Sequence, residues 1–343
     1  MKTDIARSTT SSLGWFIAGI LALFAFLSPV NGTSVSGVQS VGFTVSDMDT
    51  SLDFYTRVLP FEKVADIEIS GSEYEYLSGV FGARVRIAEL KLGDERIKLT
   101  EYLVPQGRPI PPESRSNDRW FQHFAIIVSD MDKAYKVLRS NKVKHASTGP
   151  QTLPSYIKAA AGIRAFYFKD PDGHVLEILS FPPDKGSDKW REKAKSGKLF
   201  IGIDHTAIVV GDSESSLRFY RDMLGMSVAG TSDNYGPEQE HLNNVFGARL
   251  HITSLKTDKD GIAVEFLEYL SPTDGRPYPP DSKSNDLWHW ETTFAVSDAD
   301  LLLKPFKWNY VSSGRVLVDK SVFGFRKGAL IRDPDGHAVR LTE

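Results

Sequence analysis

The chain has 343 residues, 41 basic against 44 acidic side chains, 41% hydrophobic residues and no cysteine. That length suits about two domains, the composition excludes wholesale disorder, and the near-neutral charge leaves no electrostatic footprint for nucleic acid. Without cysteine there is no disulfide, thiolate-held zinc, iron–sulfur cluster or thiol nucleophile, so any metal must be held by carboxylates and the eight histidines.

Lys2 and Arg7 precede an uncharged apolar run at 13–27, which is followed by Ser28, Pro29 and small polar residues. A basic start, an apolar middle and a small-residue exit predict a secretory signal peptide over residues 1–32. The rival reading is an uncleaved membrane anchor at 13–30, near the short limit for spanning a bilayer. Either reading places the rest of the chain outside the cytoplasm, in the periplasm or extracellular space.

From residue 38 one pattern is written twice. Ser51-Leu52-Asp53-Phe54-Tyr55 recurs as Ser216-Leu217-Arg218-Phe219-Tyr220, and Val80-Phe81-Gly82-Ala83-Arg84 as Val245-Phe246-Gly247-Ala248-Arg249, both 165 positions on. Gly107-Arg108-Pro109 returns as Gly275-Arg276-Pro277, and Ser116-Asn117-Asp118 as Ser284-Asn285-Asp286. Asp170-Pro171-Asp172-Gly173-His174 returns as Asp333-Pro334-Asp335-Gly336-His337. Ordered matches with a slowly drifting offset predict a duplication, with domains at 38–185 and 199–343. The Lys-rich stretch 186–198 reads as a solvated linker with room for a short helix.

Each half divides again. In chain order, the runs 41–45, 123–128, 205–210 and 291–296 read as strands. Each leads to an aspartate suited to cap a helix: Asp47, Asp130, Asp212 and Asp298. After the helices come β-rich runs such as 85–90, 97–103, 165–168 and 174–179. The Asp-Gly of each DPDG predicts a tight hairpin turn. The expected class is α+β, with four strand–helix–three-strand (βαβββ) modules.

Four such modules, with DPDGH before a final strand, resemble the vicinal oxygen chelate superfamily. This superfamily includes glyoxalase I, extradiol dioxygenases, methylmalonyl-CoA epimerase and bleomycin-resistance proteins. The resemblance runs from about Val38 to Glu343 and is carried most specifically by 121–130 and 170–177. It implies two cupped mixed β-sheets with helices outside, each built from two modules and holding a divalent metal. Ligands in this family come from the first and the last strand of each module. Projected here, the first-strand positions are Ser40, His123, His205 and Glu291, and the last-strand positions are Lys98, Glu177, Glu265 and Arg340.

If adjacent modules pair, one cup holds Ser40, Lys98, His123 and Glu177, and the other His205, Glu265, Glu291 and Arg340. On that pairing neither cup offers two histidines and a carboxylate, which disfavours extradiol chemistry. His205, Glu265 and Glu291 could hold Zn, Ni, Mn or Fe, as could His123 and Glu177. Glu265, Glu291 or Glu177 would then move a proton. The competing reading is that Arg340 and Lys98 replace the metal by pairing with these carboxylates, or that they hold a substrate anion. Arg108 and Arg276, in Gly-Arg-Pro loops, could bind substrate at a cup mouth or form structural ion pairs. His174 and His337 read as solvent-facing turn residues, His145 as surface, and His241 and His251 as inessential. His289 reads as structural or as an auxiliary ligand in the second cup. Trp288 and Trp290 suit pocket lining or core packing equally. Tyr74, Tyr76 and Tyr102 could line the first cup, and Tyr269 the second.

Two functions fit: a metal-dependent lyase or isomerase of the glyoxalase type, or a non-catalytic binder of a small molecule like the bleomycin-resistance members. A cell-envelope scaffold is a third reading. The expected partner is a small molecule, with membrane contact only through the N-terminal segment. The sequence leaves substrate and oligomeric state open.

Overall fold

The computed structural model describes residues 34–304 and 306–343. The signal-peptide or anchor segment, residues 1–32, lies outside the described residues. The first module contains β1 (Val35–Val45), β2 (Glu62–Ser70), β3 (Arg84–Leu92) and β4 (Glu95–Val104). The second contains β5 (Gln122–Val128), the short β6 (Lys144–His145) and β7 (Gln151–Thr152), then β8 (Arg164–Lys169) and β9 (Val175–Ser180). The third contains β10 (Phe200–Val210), β11 (Ser227–Tyr235), β12 (Arg249–Lys256) and β13 (Ala263–Ser271). The fourth contains β14 (Trp290–Val296), the short β15 (Asn309–Tyr310) and β16 (Val316–Leu317), then β17 (Lys327–Arg332) and β18 (Ala338–Thr342).

A helix follows the first strand of every module, and an aspartate caps each one. Asp47, Asp130, Asp212 and Asp298 accept backbone N–H bonds from Thr50, Lys133, Ser215 and both Asp300 and Leu301. These caps satisfy donors that a helix start leaves unpaired.

The strands form two mixed sheets of nine strands each. One runs β15-β17-β18-β14-β1-β4-β3-β2, with β16 on β17; the other runs β11-β12-β13-β10-β5-β9-β8-β6, with β7 on β8. The first module therefore shares a sheet with the fourth, and the second with the third. Pairing of adjacent modules, assumed in assigning residues to cups, is corrected by this strand order. The two first strands run antiparallel at each seam: β1 against β14 and β10 against β5.

The faces opposite the cups carry the cores, and these follow the sequence halves. Val41, Phe43 and Val45 of β1 pack in one cluster with Phe124, Ile126 and Val128 of β5 and the helices behind them. Ile208 and Val210 of β10 join Phe294 and Val296 of β14 in another. Alternation along a strand puts these apolar residues on one face and the candidate ligands on the other. Each half thus keeps a common core while each sheet is shared between halves.

The duplicated motifs tie the halves together. Asp170 accepts the backbone N–H of Asp172, Gly173 and His174, and its other oxygen meets Tyr55 Oη at 3.1 Å and His174 Nδ1 at 2.9 Å. His174 Nε2 reaches the Leu287 carbonyl at 2.6 Å, and His337 Nε2 the Val209 carbonyl at 2.9 Å. Both histidines are buried, so their assignment as solvent-facing is corrected. Burial disfavours a charged His174, but the Asp170 carboxylate outweighs it and raises the pKa.

Arg108 pairs with Asp286 and Asp281 of the other half, and Arg276 with Asp118 and Glu113. Each guanidinium also covers a tryptophan, Trp288 or Trp120. Gly107 is required where this loop crosses the other half: a Cβ there would lie 1.8 Å from the Asn285 carbonyl oxygen. Neither arginine lines a cup, and the ion pairs between the halves are the charged contacts each makes. The linker is also more than solvated chain. Its helix Asp188–Ala194 buries Trp190.

Candidate metal centre

Register brings four ligand-type side chains to one face of the β10–β5 sheet. Ala207 sits opposite His123 across the seam and beside Glu265 on β13, while Ala125 sits beside Glu177 on β9. His205 lies two residues from Ala207, hence on the same face. The two alanines, both fully buried, leave the space into which the larger side chains converge.

Glu177 Oε2 lies 3.2 Å from His123 Nε2 and 3.5 Å from His205 Nε2. Glu265 Oε2 lies 3.4 Å from the same His205 nitrogen. Ligand atoms of His123, Glu177 and His205 fall within 4.8 Å of one another, so this cluster could hold a metal ion. The cavity above it, about 260 Å³, is lined by carboxylates, histidines, amides and apolar groups, with neither lysine nor arginine among its lining residues.

Burial works against ionising Glu177, yet hydrogen bonds and charge from His123 and His205 outweigh it and hold the carboxyl at about 2. Burial alone would depress His205, but Glu265, Asp204 and Glu177 raise it well above the usual imidazole range. Burial lowers His123 and raises Glu265. Three carboxylates around two imidazoles therefore demand positive charge, which either protons or a metal can supply.

Asp204 and Trp190 are the residues sequence reasoning missed. Asp204 Oδ2 accepts from His205 Nδ1 at 3.0 Å, leaving Nε2 to face the carboxylates, and Trp190 Nε1 donates to Asp204 Oδ1 at 2.5 Å. A carboxylate orienting a ligand imidazole in this way is a recurring feature of metal sites. The available signal was Asp204 immediately before His205; the linker tryptophan carried none. His123 has no such partner, and its Nδ1 is buried without a hydrogen bond among the described residues. Tyr167 also lines this cavity, whereas Tyr269 donates no side chain to the lining and instead accepts from Asn243 at 2.6 Å.

The other sheet presents the same positions with different chemistry. Gly42 sits opposite Glu291 and beside Lys98, and Thr293 sits opposite Ser40 and beside Arg340. Lys98 thus takes the place of Glu265, and Arg340 the place of Glu177. Arg340 binds Glu291 bidentately, with Nε–Oε1 at 2.8 Å and Nη2–Oε2 at 2.6 Å. Burial opposes the Glu291 charge, but Arg340 holds its carboxyl well below the usual range. Glu291 is therefore removed from the metal and catalytic sets: it lies in a different cup from His205 and Glu265 and is already neutralised by a fixed cation. His289 joins this arginine cup, as do Tyr74 and Tyr102, while Tyr76 is exposed. Trp290 packs in the core against Phe43. Contrary to the expectation from pairing adjacent modules, two histidines and a carboxylate do share one cup: His123, His205 and Glu177.

The family model described as Glyoxalase/Bleomycin resistance protein/Dioxygenase superfamily matches residues 37–178 and 202–341. A 2-epi-5-epi-valiolone epimerase from Actinomyces sp is 32% identical over 151 residues, covering 42% of this chain and 79% of that protein. Glyoxalase I of Saccharomyces cerevisiae is 22% identical over 249 residues, covering 71% of this chain and 68% of that protein. The solved structure of glyoxalase I from Zea mays matches with a TM-score of 0.57 at 18% identity, over 90% of this chain and 92% of that one, a likeness of fold. With both halves matched and both sheets cupped in the same way, the chain belongs to the glyoxalase/bleomycin resistance protein/dioxygenase superfamily.

Proposed function

We propose that the β10–β5 cup binds one divalent metal through His123, Glu177 and His205, with Glu265 beside them, and that the protein is a lyase or isomerase acting on a small oxygenated molecule. The observation that carries this is the convergence of two imidazoles and two carboxylates in a cavity whose lining has no fixed cation. This donor set suits Zn, Ni, Mn or Fe. When bound, the ion supplies Lewis-acid stabilisation of charge developing on substrate oxygen.

The chain's own residues do the rest. Asp204 fixes the His205 ring, and Trp190 fixes Asp204. Glu265 is the more open carboxylate, with its side chain 22% exposed against 5% for Glu177, and burial raises its pKa. Glu265 is therefore the group suited to take a proton from substrate carbon and return it. Leu153, Ile163, Leu179 and Ile252 give the cavity beside it an apolar lining. A volume of about 260 Å³ lies at the small end for ligand cavities, which favours a compact substrate.

The test is metal-dependent exchange of the α-hydrogen of 2-hydroxyketones and of 2-oxoaldehyde–thiol adducts, followed by NMR in deuterium oxide. Exchange that needs both metal and Glu265 supports the reading; stoichiometric metal with no exchange across the panel favours a non-catalytic binder. The apolar segment at 13–27 supports export of the body, and finding an intact N-terminus on cytoplasmic protein would remove that part.

A further inference from the structure

The β1–β14 cup is a second built cavity, about 280 Å³, that the metal reading leaves without a role. Its walls are apolar, from residues such as Ile67, Ile87, Leu77 and Phe323, and its floor carries two cations, Lys98 and Arg340, beside Glu89 and Glu291. Arg340 is 8% exposed, and two of its nitrogens are used by Glu291. Its third, Nη1, has no partner among the described residues. Lys98 is about one-third exposed, and its nearest carboxylate, Glu89, is 3.7 Å away and already bonded to Arg96. His289 and Thr293 line the same cavity, and both His289 nitrogens and Thr293 Oγ1 are buried without a partner. His289 Nε2 is 3.7 Å from Glu291, beyond hydrogen-bonding distance.

Buried polar atoms are nearly always satisfied, so a group of orphans around one cavity needs an explanation. Water alone would satisfy them singly, but it would leave the spare Arg340 Nη1 and the loosely paired Lys98 ammonium facing an apolar wall. A ligand that accepts from Arg340 and Lys98 with one end and covers the aliphatic and aromatic wall with the other satisfies both features. From this juxtaposition we propose that the β1–β14 cup is a metal-independent binding site for a small organic carboxylate with an apolar body. This site is separate from the proposed metal centre and does not depend on it.

Isothermal titration of the full chain with 3-phenylpropionate and octanoate, and with 3-phenylpropionamide as the neutral counterpart, tests this. The expected result is saturable binding of a carboxylate, at least about tenfold tighter than the amide. Lys98→Met should weaken binding by a similar factor, as should the paired change Glu291→Gln with Arg340→Gln, while His205→Ala leaves it unchanged. Lys98 is partly exposed, so that variant remains informative if the paired change fails to fold. Equal binding of acid and amide, indifference to Lys98→Met, or no saturable binding of either acid would overturn the proposal. So would uptake of nickel or zinc by this cup in a chain carrying His123→Ala and His205→Ala.

Discussion

The two cups share a backbone plan and differ in four side chains. His205, Glu265, His123 and Glu177 stand in one where Ser40, Lys98, Glu291 and Arg340 stand in the other. The decisive exchange is Glu177 for Arg340. A buried carboxylate flanked by imidazoles leaves a place for a cation, whereas a buried guanidinium brings its own cation and closes on the nearest carboxylate. A duplicated fold can thus keep its walls while one cup presents a cluster that could hold a metal and the other an internal ion pair with spare donors. Position in the register, more than residue identity alone, decides which chemistry a glutamate takes up. Glu291 and Glu177 are both buried carboxylates, but only Glu177 lies between two imidazoles.

The comparison can be broken most severely by removing one side of each set. His205→Ala or Glu177→Gln should abolish stoichiometric metal in the β10–β5 cup, measured by elemental analysis after loading and desalting. Arg340→Ala should cost about 3–5 kcal/mol in denaturant unfolding, because it strands a buried Glu291. Glu291→Gln combined with Arg340→Gln should restore most of that loss. If the single and paired changes cost the same, the ion pair does not hold that cup together.

Asp204→Asn should weaken metal binding about 10–100-fold, as loss of a residue orienting a ligand imidazole does, read by competition with a chelating dye. The pH response sharpens the contrast further. The metal-free His205 has a raised pKa, so the proton is bound below that value and must leave when metal enters. Metal uptake should release protons near neutrality, and affinity should fall as pH drops. Calorimetry in buffers of different ionisation enthalpy measures this.

The smallest effect belongs to the other cup. The pKa of Glu291 is lower folded than unfolded, so its contribution is complete above the unfolded value of about 4.3 and is lost as pH falls toward the folded one. The Glu291→Gln/Arg340→Gln chain should therefore show a shallower loss of stability than the natural chain below about pH 4.

Much of the fold was legible because its signals are local. Strand alternation, the aspartate caps and the two DPDG turns each occupy a few consecutive residues, and the repeat fixes their order. The eight cup positions came from the family resemblance, projected by their spacing to those landmarks. The partnership of modules was not, because β1 can meet β5 or β14 through the same kind of edge, and no short run of residues distinguishes them. That long-range choice decides whether His123 meets His205 or Lys98. The tie that records it, Arg108 with Asp286 and Arg276 with Asp118, reads in sequence only as a repeated Gly-Arg-Pro loop. His174 and His337 misled for the same reason: a turn looks solvent-facing until a carbonyl from another module covers it.

The most direct measurement is metal stoichiometry in the natural chain and two variants. One divalent ion per chain is expected, lost in His205→Ala and retained in Glu291→Gln/Arg340→Gln. Two ions per chain, or an ion that survives His205→Ala and leaves with the Glu291/Arg340 change, would show that the cups had been assigned the wrong way round.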